Sequence, residues 1–229
     1  MKKVWLFIVV FIISHSAFAQ IASLSGPNGL LKLDVFLEEG QPSYTIHYDG
    51  KLMLEKSPLG IITNEGDFSQ NLSFKEQAAD RVEKKYSQDR IKKSNILYIA
   101  NKLELAFEDS QQRGIKLVFQ VSNNDVAFRY ELPQWGERRA VVVEKELSGF
   151  KFPQYTTTFL SPMMRAMEGF ARTSPSYESG YTNDEPIGRP TYGKQGYVFP
   201  GLFRVGEDGW ILVSETGVSS RYCASHLSE

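Results

Sequence analysis

An all-β sandwich is the fold this sequence predicts, and three observations predict it. Apolar residues alternate with polar ones at period two along several short runs. Turn residues such as Asp49-Gly50, Asn123-Asn124-Asp125 and Asp208-Gly209 separate those runs at short intervals. Nowhere do apolar residues recur at helical spacing over three turns.

Taken in order, the first predicted strand is Leu31–Glu38, with Leu31, Leu33, Val35 and Leu37 on one face and Lys32, Asp34 and Glu38 on the other. Ser43–Tyr48, the Asp49-Gly50 turn and Lys51–Leu54 form a hairpin, because Asp-Gly supplies the positive φ angles of a tight turn. Leu72–Ala78 and Asp80–Ser87 read as two charged, exposed strands near an edge. Ile96–Ile99 and Leu103–Phe107 bracket an expected Asn101-Lys102 turn. Ile115, Leu117, Phe119 and Val121 alternate cleanly, and Asn123-Asn124-Asp125 returns the chain through Val126, Phe128, Tyr130 and Leu132. Ala140–Gly149 and Phe152–Leu160 continue the β pattern, in which Glu144 and Glu146 read as a solvated face. Tyr197–Val205 and Trp210–Ser214 close the chain as a hairpin around Gly206-Glu207-Asp208-Gly209. Between these, Ser161–Gln195 has little periodicity but holds Phe170, Tyr177, Tyr181 and Tyr192, an aromatic content at odds with disorder.

Composition bounds the function. The 229 residues are 41% hydrophobic and 13% aromatic, enough for a sizeable core. A net charge of −1 argues against nucleic acid or an anionic membrane surface as partner. Residues 1–19 read as a signal peptide. Lys2 and Lys3 precede the apolar Val4–Ile13, and Ala17-Phe18-Ala19 fits cleavage after Ala19. The apolar run is too short to span a bilayer, and no later stretch predicts a membrane span. Cys223 is the single cysteine, so export without an intramolecular disulfide points to a periplasm. His47 and His226 are the only histidines of the mature chain, too few for a zinc cluster, and no nucleophile elbow, Walker loop or dinucleotide fingerprint occurs.

Candidate site residues lie late in the chain. Glu215 follows a strand of large apolar residues, where a sheet meets a loop. By pattern alone, most glutamates so placed are merely solvated. Tyr177 and Glu178, with Tyr181, sit in the long loop, where aromatic faces could stack on sugar rings and a carboxylate could hold hydroxyls. Packing of those rings onto the sandwich is the plainer reading.

Several stretches, in this order, resemble the N-terminal domain of glycoside hydrolase family 97. They are Ser25-Gly26-Pro27-Asn28-Gly29, Tyr48-Asp49-Gly50-Lys51, Ser57-Pro58-Leu59-Gly60-Ile61 with Asp67-Phe68, and Val126-Ala127-Phe128-Arg129-Tyr130. Ser174-Pro175-Ser176-Tyr177-Glu178, Tyr197–Phe203 and Gly209–Val218 complete the set. The resemblance implies a β-super-sandwich of two large antiparallel sheets over residues 20–229, preceding a catalytic (β/α)8 barrel. It implies an α-glucosidase or α-galactosidase acting on oligosaccharides. It also implies that Glu215 reaches into the neighbouring barrel and ligates a calcium ion, Ca2+, beside the catalytic acids.

No βαβ pattern occurs in the chain. Glycoside hydrolysis needs two carboxylates, and barrel enzymes carry theirs at strand ends. The expectation is therefore a non-catalytic N-terminal portion that docks on its own downstream barrel, with no catalytic residue of its own. Such a portion should expose an apolar patch around Trp210 and the chain end. The rival expectation is a stand-alone periplasmic carbohydrate-binding module.

Overall fold

The computed structural model describes residues 20–90, 92, 94–137, 140–163, 180–190, 195–220 and 225–228. Among them there are strands and turns but no helix. The all-β reading therefore holds.

Hydrogen bonding divides the strands into four antiparallel sheets. The first contains β1 (Gln20–Ser25), β2 (Leu31–Glu38), β3 (Gln41–Tyr48) and β4 (Lys51–Pro58), in that order. The second runs β10 (Val126–Glu131), β9 (Gly114–Val121), β8 (Asn95–Glu108), β7 (Ser73–Ser87). The third joins β11 (Val143–Glu146) to β5 (Ile61–Thr63) and β6 (Gly66–Asp67). The fourth is ordered β13 (Glu185–Pro186), β12 (Thr157–Pro162), β14 (Tyr197–Val205), β15 (Gly209–Val213).

The sheets share one core. Leu33, Val35 and Tyr44 from the first pack with Leu105, Leu117 and Phe119 from the second, and Phe203, Val205 and Val213 from the fourth join the same cluster. Tyr44 lies 6.3 Å from Phe119 and 5.9 Å from Phe128 between ring centroids. Its hydroxyl donates to the Gly149 carbonyl at 3.0 Å, satisfying the one polar atom of a buried ring. Phe152 stacks on Phe203 at 4.1 Å and 17°, fastening the fourth sheet to the segment that precedes it.

Three local expectations are corrected. Leu72–Ala78 and Asp80–Ser87 are one continuous strand, β7, because Ala79 pairs with Leu103 without interruption. The Asn101-Lys102 turn does not exist. Asn101 lies within β8, facing Arg81 on one side and Val121 on the other, and its Nδ2 donates to the Ser25 carbonyl at 2.8 Å. A turn-prone amide stays in the strand when neighbours on both sides complete its hydrogen bonds. Asp34, expected on a solvated face, is 6% exposed. Lys32 Nζ and Gln20 Nε2 donate to its carboxylate at 2.9 and 3.0 Å, so the charge is buried with partners.

Candidate functional site

The fourth sheet presents its outer face to solvent, and register decides which side chains lie there. Thr157 pairs with Arg204, Phe159 with Leu202, Arg204 with Trp210, and Leu202 with Leu212. These residues share the outer face, while Leu160, Phe203, Val205 and Val213 point into the core. Trp210 is 56% exposed and Leu212 63%.

An ion pair stands at this apolar face. Arg204 Nη2 donates to Asp184 Oδ1 at 2.7 Å and Oδ2 at 2.6 Å, and Nε donates to Oδ1 at 3.0 Å. Thr157 Oγ1 donates to the same Oδ1 at 2.5 Å. The Thr157 hydroxyl and the Arg204 guanidinium hold the Asp184 carboxyl below the usual carboxylate range. No sequence signal links Arg204 to Asp184, because the latter lies in the aperiodic segment before β14.

Glu215 emerges two residues beyond β15 and is half-buried. Its Oε1 accepts the Ser225 backbone N–H at 2.9 Å and the Ser225 Oγ–H at 2.5 Å. Ser225 is brought there by a bridge in which Tyr197 and Leu227 exchange backbone hydrogen bonds at 2.8 Å each. Gly196 makes that approach possible. Its φ is +83°, and a Cβ there would lie 2.0 Å from the Leu227 carbonyl oxygen.

The other two candidates, Tyr177 and Glu178, lie outside the described residues, as does Cys223. The described part of the long loop is tied to the fourth sheet. Thr182 N donates to the Leu160 carbonyl at 2.8 Å, and Tyr197 Oη donates to the Arg189 carbonyl at 2.7 Å. Tyr181 beside it is 70% exposed. Glu144 and Glu146 are exposed on β11.

A model of the family described as "Glycosyl-hydrolase 97 N-terminal" matches residues 24–229. The chain belongs to this family. Among solved structures, the family 97 domain described here superposes on "Crystal structure of beta-arabinopyranosidase" with a TM-score of 0.87 and 50% identity, covering 91% of this chain and 33% of that one. A Glycoside Hydrolase Family 97 enzyme from Pseudoalteromonas sp. strain K8, solved with panose and with acarbose, matches with a TM-score of 0.64 over 80% of this chain and 27% of its own. At 20% identity that likeness shows the fold alone. A protein named "Probable retaining alpha-galactosidase" from Streptomyces bingchenggensis (strain BCW-1) is 27% identical over 203 residues, 89% of this chain and 29% of that protein. The chain thus spans about a third of the length of the relatives it matches.

Calcium takes about six to eight oxygen ligands in a forgiving geometry. Among the described residues of the family 97 domain, no group of three or more His, Cys, Asp or Glu could hold a metal ion. Glu215 is a hard oxygen donor suited to calcium, but it fits one position of such a site rather than the whole of it. Its hydrogen bonds from Ser225 fix the direction of the carboxylate.

Proposed function

We propose that this chain is the N-terminal part of an exported glycoside hydrolase acting on α-galactosides or α-glucosides, with galacto-configured sugars the preferred class. The observation that carries the reading is the 50% identity to a β-arabinopyranosidase across 91% of the chain. The relative named as an α-galactosidase supports it. L-Arabinopyranose has the ring stereochemistry of galactose without the exocyclic hydroxymethyl group, so both names describe hydroxyls arrayed in one pattern. A pocket that hydrogen-bonds an axial hydroxyl rejects its epimer far more strongly than a pocket detects one missing carbon.

In this proposal the outer face of the fourth sheet, centred on Trp210 and Leu212, docks on a downstream (β/α)8 barrel. The barrel supplies both reacting carboxylates. Glu215 contributes one oxygen to a calcium ion shared with the barrel, oriented by Ser225. The ion, when bound, would polarise the group at the cleavage point. Tyr177 and Glu178 border the sugar from the long loop.

The test uses the full-length protein on nitrophenyl α-galactoside, β-L-arabinopyranoside and α-glucoside, with and without a calcium chelator. Hydrolysis of the first two above the third, chelator sensitivity, and weakened calcium binding by titration calorimetry in Glu215→Gln are the expected results. Equal calcium affinity in the wild type and Glu215→Gln would remove the metal role from Glu215. Sugar binding by the isolated chain, with no activity in the full-length protein, would favour a carbohydrate-binding module.

A further inference from the structure

Among the described residues, the second sheet ends in a long edge strand. β7 covers Ser73–Ser87, and nearly every residue from Lys75 to Ser87 is exposed. Its inner neighbour β8 pairs with β9 only from Asn101 to Glu108. Beyond that point Val82–Ser87 and Asn95–Ala100 form a ribbon of two strands. The ribbon carries Tyr86 at 43% exposure and Leu97 at 51%. Two strands alone bury too little apolar surface to be more than marginally stable in water.

The free edge of β7 is self-complementary in charge. It reads Glu76-Gln77-Ala78-Ala79-Asp80-Arg81-Val82-Glu83-Lys84-Lys85. Two copies related by a two-fold axis can pair antiparallel only in registers that set one residue against itself. Centring on Asp80, Arg81, Glu83, Lys84 or Lys85 opposes like charges at the axis, and centring on Ala78 opposes Glu76 to Asp80. Centring on Val82 behaves differently. Arg81 then faces Glu83 of the other copy and Asp80 faces Lys84, each twice by symmetry, with no like charges opposed. The Ala79 register offers only Lys75 against Glu83. Opposite charges directly across an antiparallel pair stabilise it, and like charges destabilise it.

These side chains are available. Glu83 lies 4.0 Å from Lys85 on its own strand, and among the described residues neither Arg81 nor Lys84 forms an ion pair. Charges on an edge strand normally discourage pairing. A sequence whose signs alternate to match its own reversal instead selects one register and rejects its neighbours.

We infer that β7 is a dimerisation edge, pairing antiparallel with β7 of a second copy about Val82 to join the two second sheets into one. In the pair each ribbon gains a neighbour, because Val82–Ser87 lies against Gln77–Val82 of the other copy, with Tyr86 opposite Ala78.

The test is sedimentation equilibrium of the full-length protein at low and high salt. A dimer is expected, weakened by salt. Arg81→Glu or Glu83→Arg alone sets like charges across the axis twice and should raise the dimer Kd about tenfold or more. The exchanged double variant, R81E with E83R, restores the pairs and should restore the dimer. Because both positions are exposed, circular dichroism of each variant should match the wild type. A monomeric wild-type protein overturns the inference, as does a dimer that ignores the single substitutions or is not recovered by the exchange. A monomer in which the downstream part of the chain protects β7 from hydrogen exchange would assign the edge to that part instead.

Discussion

Trp210 and Phe159 lie with ring centroids 5.5 Å apart and planes tilted by 41° on the outer face of the fourth sheet. Neither ring belongs to the buried cluster on the opposite face. Alternation along β12 and β15 makes this unavoidable. Once Leu160, Ile211 and Val213 turn inward, Phe159, Trp210 and Leu212 must turn outward.

Substitution at Leu212 should therefore separate folding from docking. Leu212→Ser in the isolated chain is expected to change stability by no more than about 0.5 kcal/mol, since the side chain is already mostly in water. In the full-length protein the same change should lower the thermal midpoint and expose the β15 amides to hydrogen exchange. Equal exchange in both variants would mean that nothing covers this face.

A second expectation concerns Tyr130, whose hydroxyl accepts the buried Gly60 N–H at 2.7 Å and lies 2.7 Å from Ser148 Oγ. Burial pushes its phenol well above the usual tyrosine range. Tyr130→Phe removes the acceptor and leaves the Gly60 donor unpaired inside the protein. A loss of about 1–3 kcal/mol is expected, read from urea unfolding. A loss below about 0.5 kcal/mol would mean that water replaces the hydroxyl.

Acid should act through Glu104. Lys102 donates to its Oε1 and Lys116 to its Oε2, the latter at 2.8 Å, and these two hydrogen bonds bring its carboxyl down to about 2. A depressed folded-state pKa means stability that is present above the unfolded carboxylate value and is lost as pH falls towards the folded one. Unfolding followed from about pH 5 to about pH 2 should show this loss, and Glu104→Gln should flatten the same window. An unchanged acid limb in the variant would assign the effect to other carboxylates. Asp109 is among these: burial raises its carboxyl, but Arg113 and backbone amides outweigh that and lower it.

Much of this was legible in the residues. β2 and β14 run between the ends their alternation marks, and the Asp49-Gly50 turn has the positive φ angles, 50° and 76°, that its residues suggest. Glu215 stood out through the resemblance, since by pattern alone a glutamate after an apolar strand is most often solvated. The Arg204–Asp184 pair was not. Its partners are far apart in sequence, and only the pairing of β12 with β14 and β13 sets them side by side.

By itself, then, the sequence determined the strand class, most of the hairpins and the exposed charge of β7, and the resemblance of its ordered stretches pointed to the family. The first three depend on period-two patterning and turn chemistry, which act over a few residues. Tertiary structure decided that β7 and β8 run unbroken past Ala79 and Asn101, that Asp34 is buried, and that Ser225 grips Glu215. Each of those depends on pairing and packing between elements, whose hydrogen bonds override local propensity and leave no trace in the local pattern.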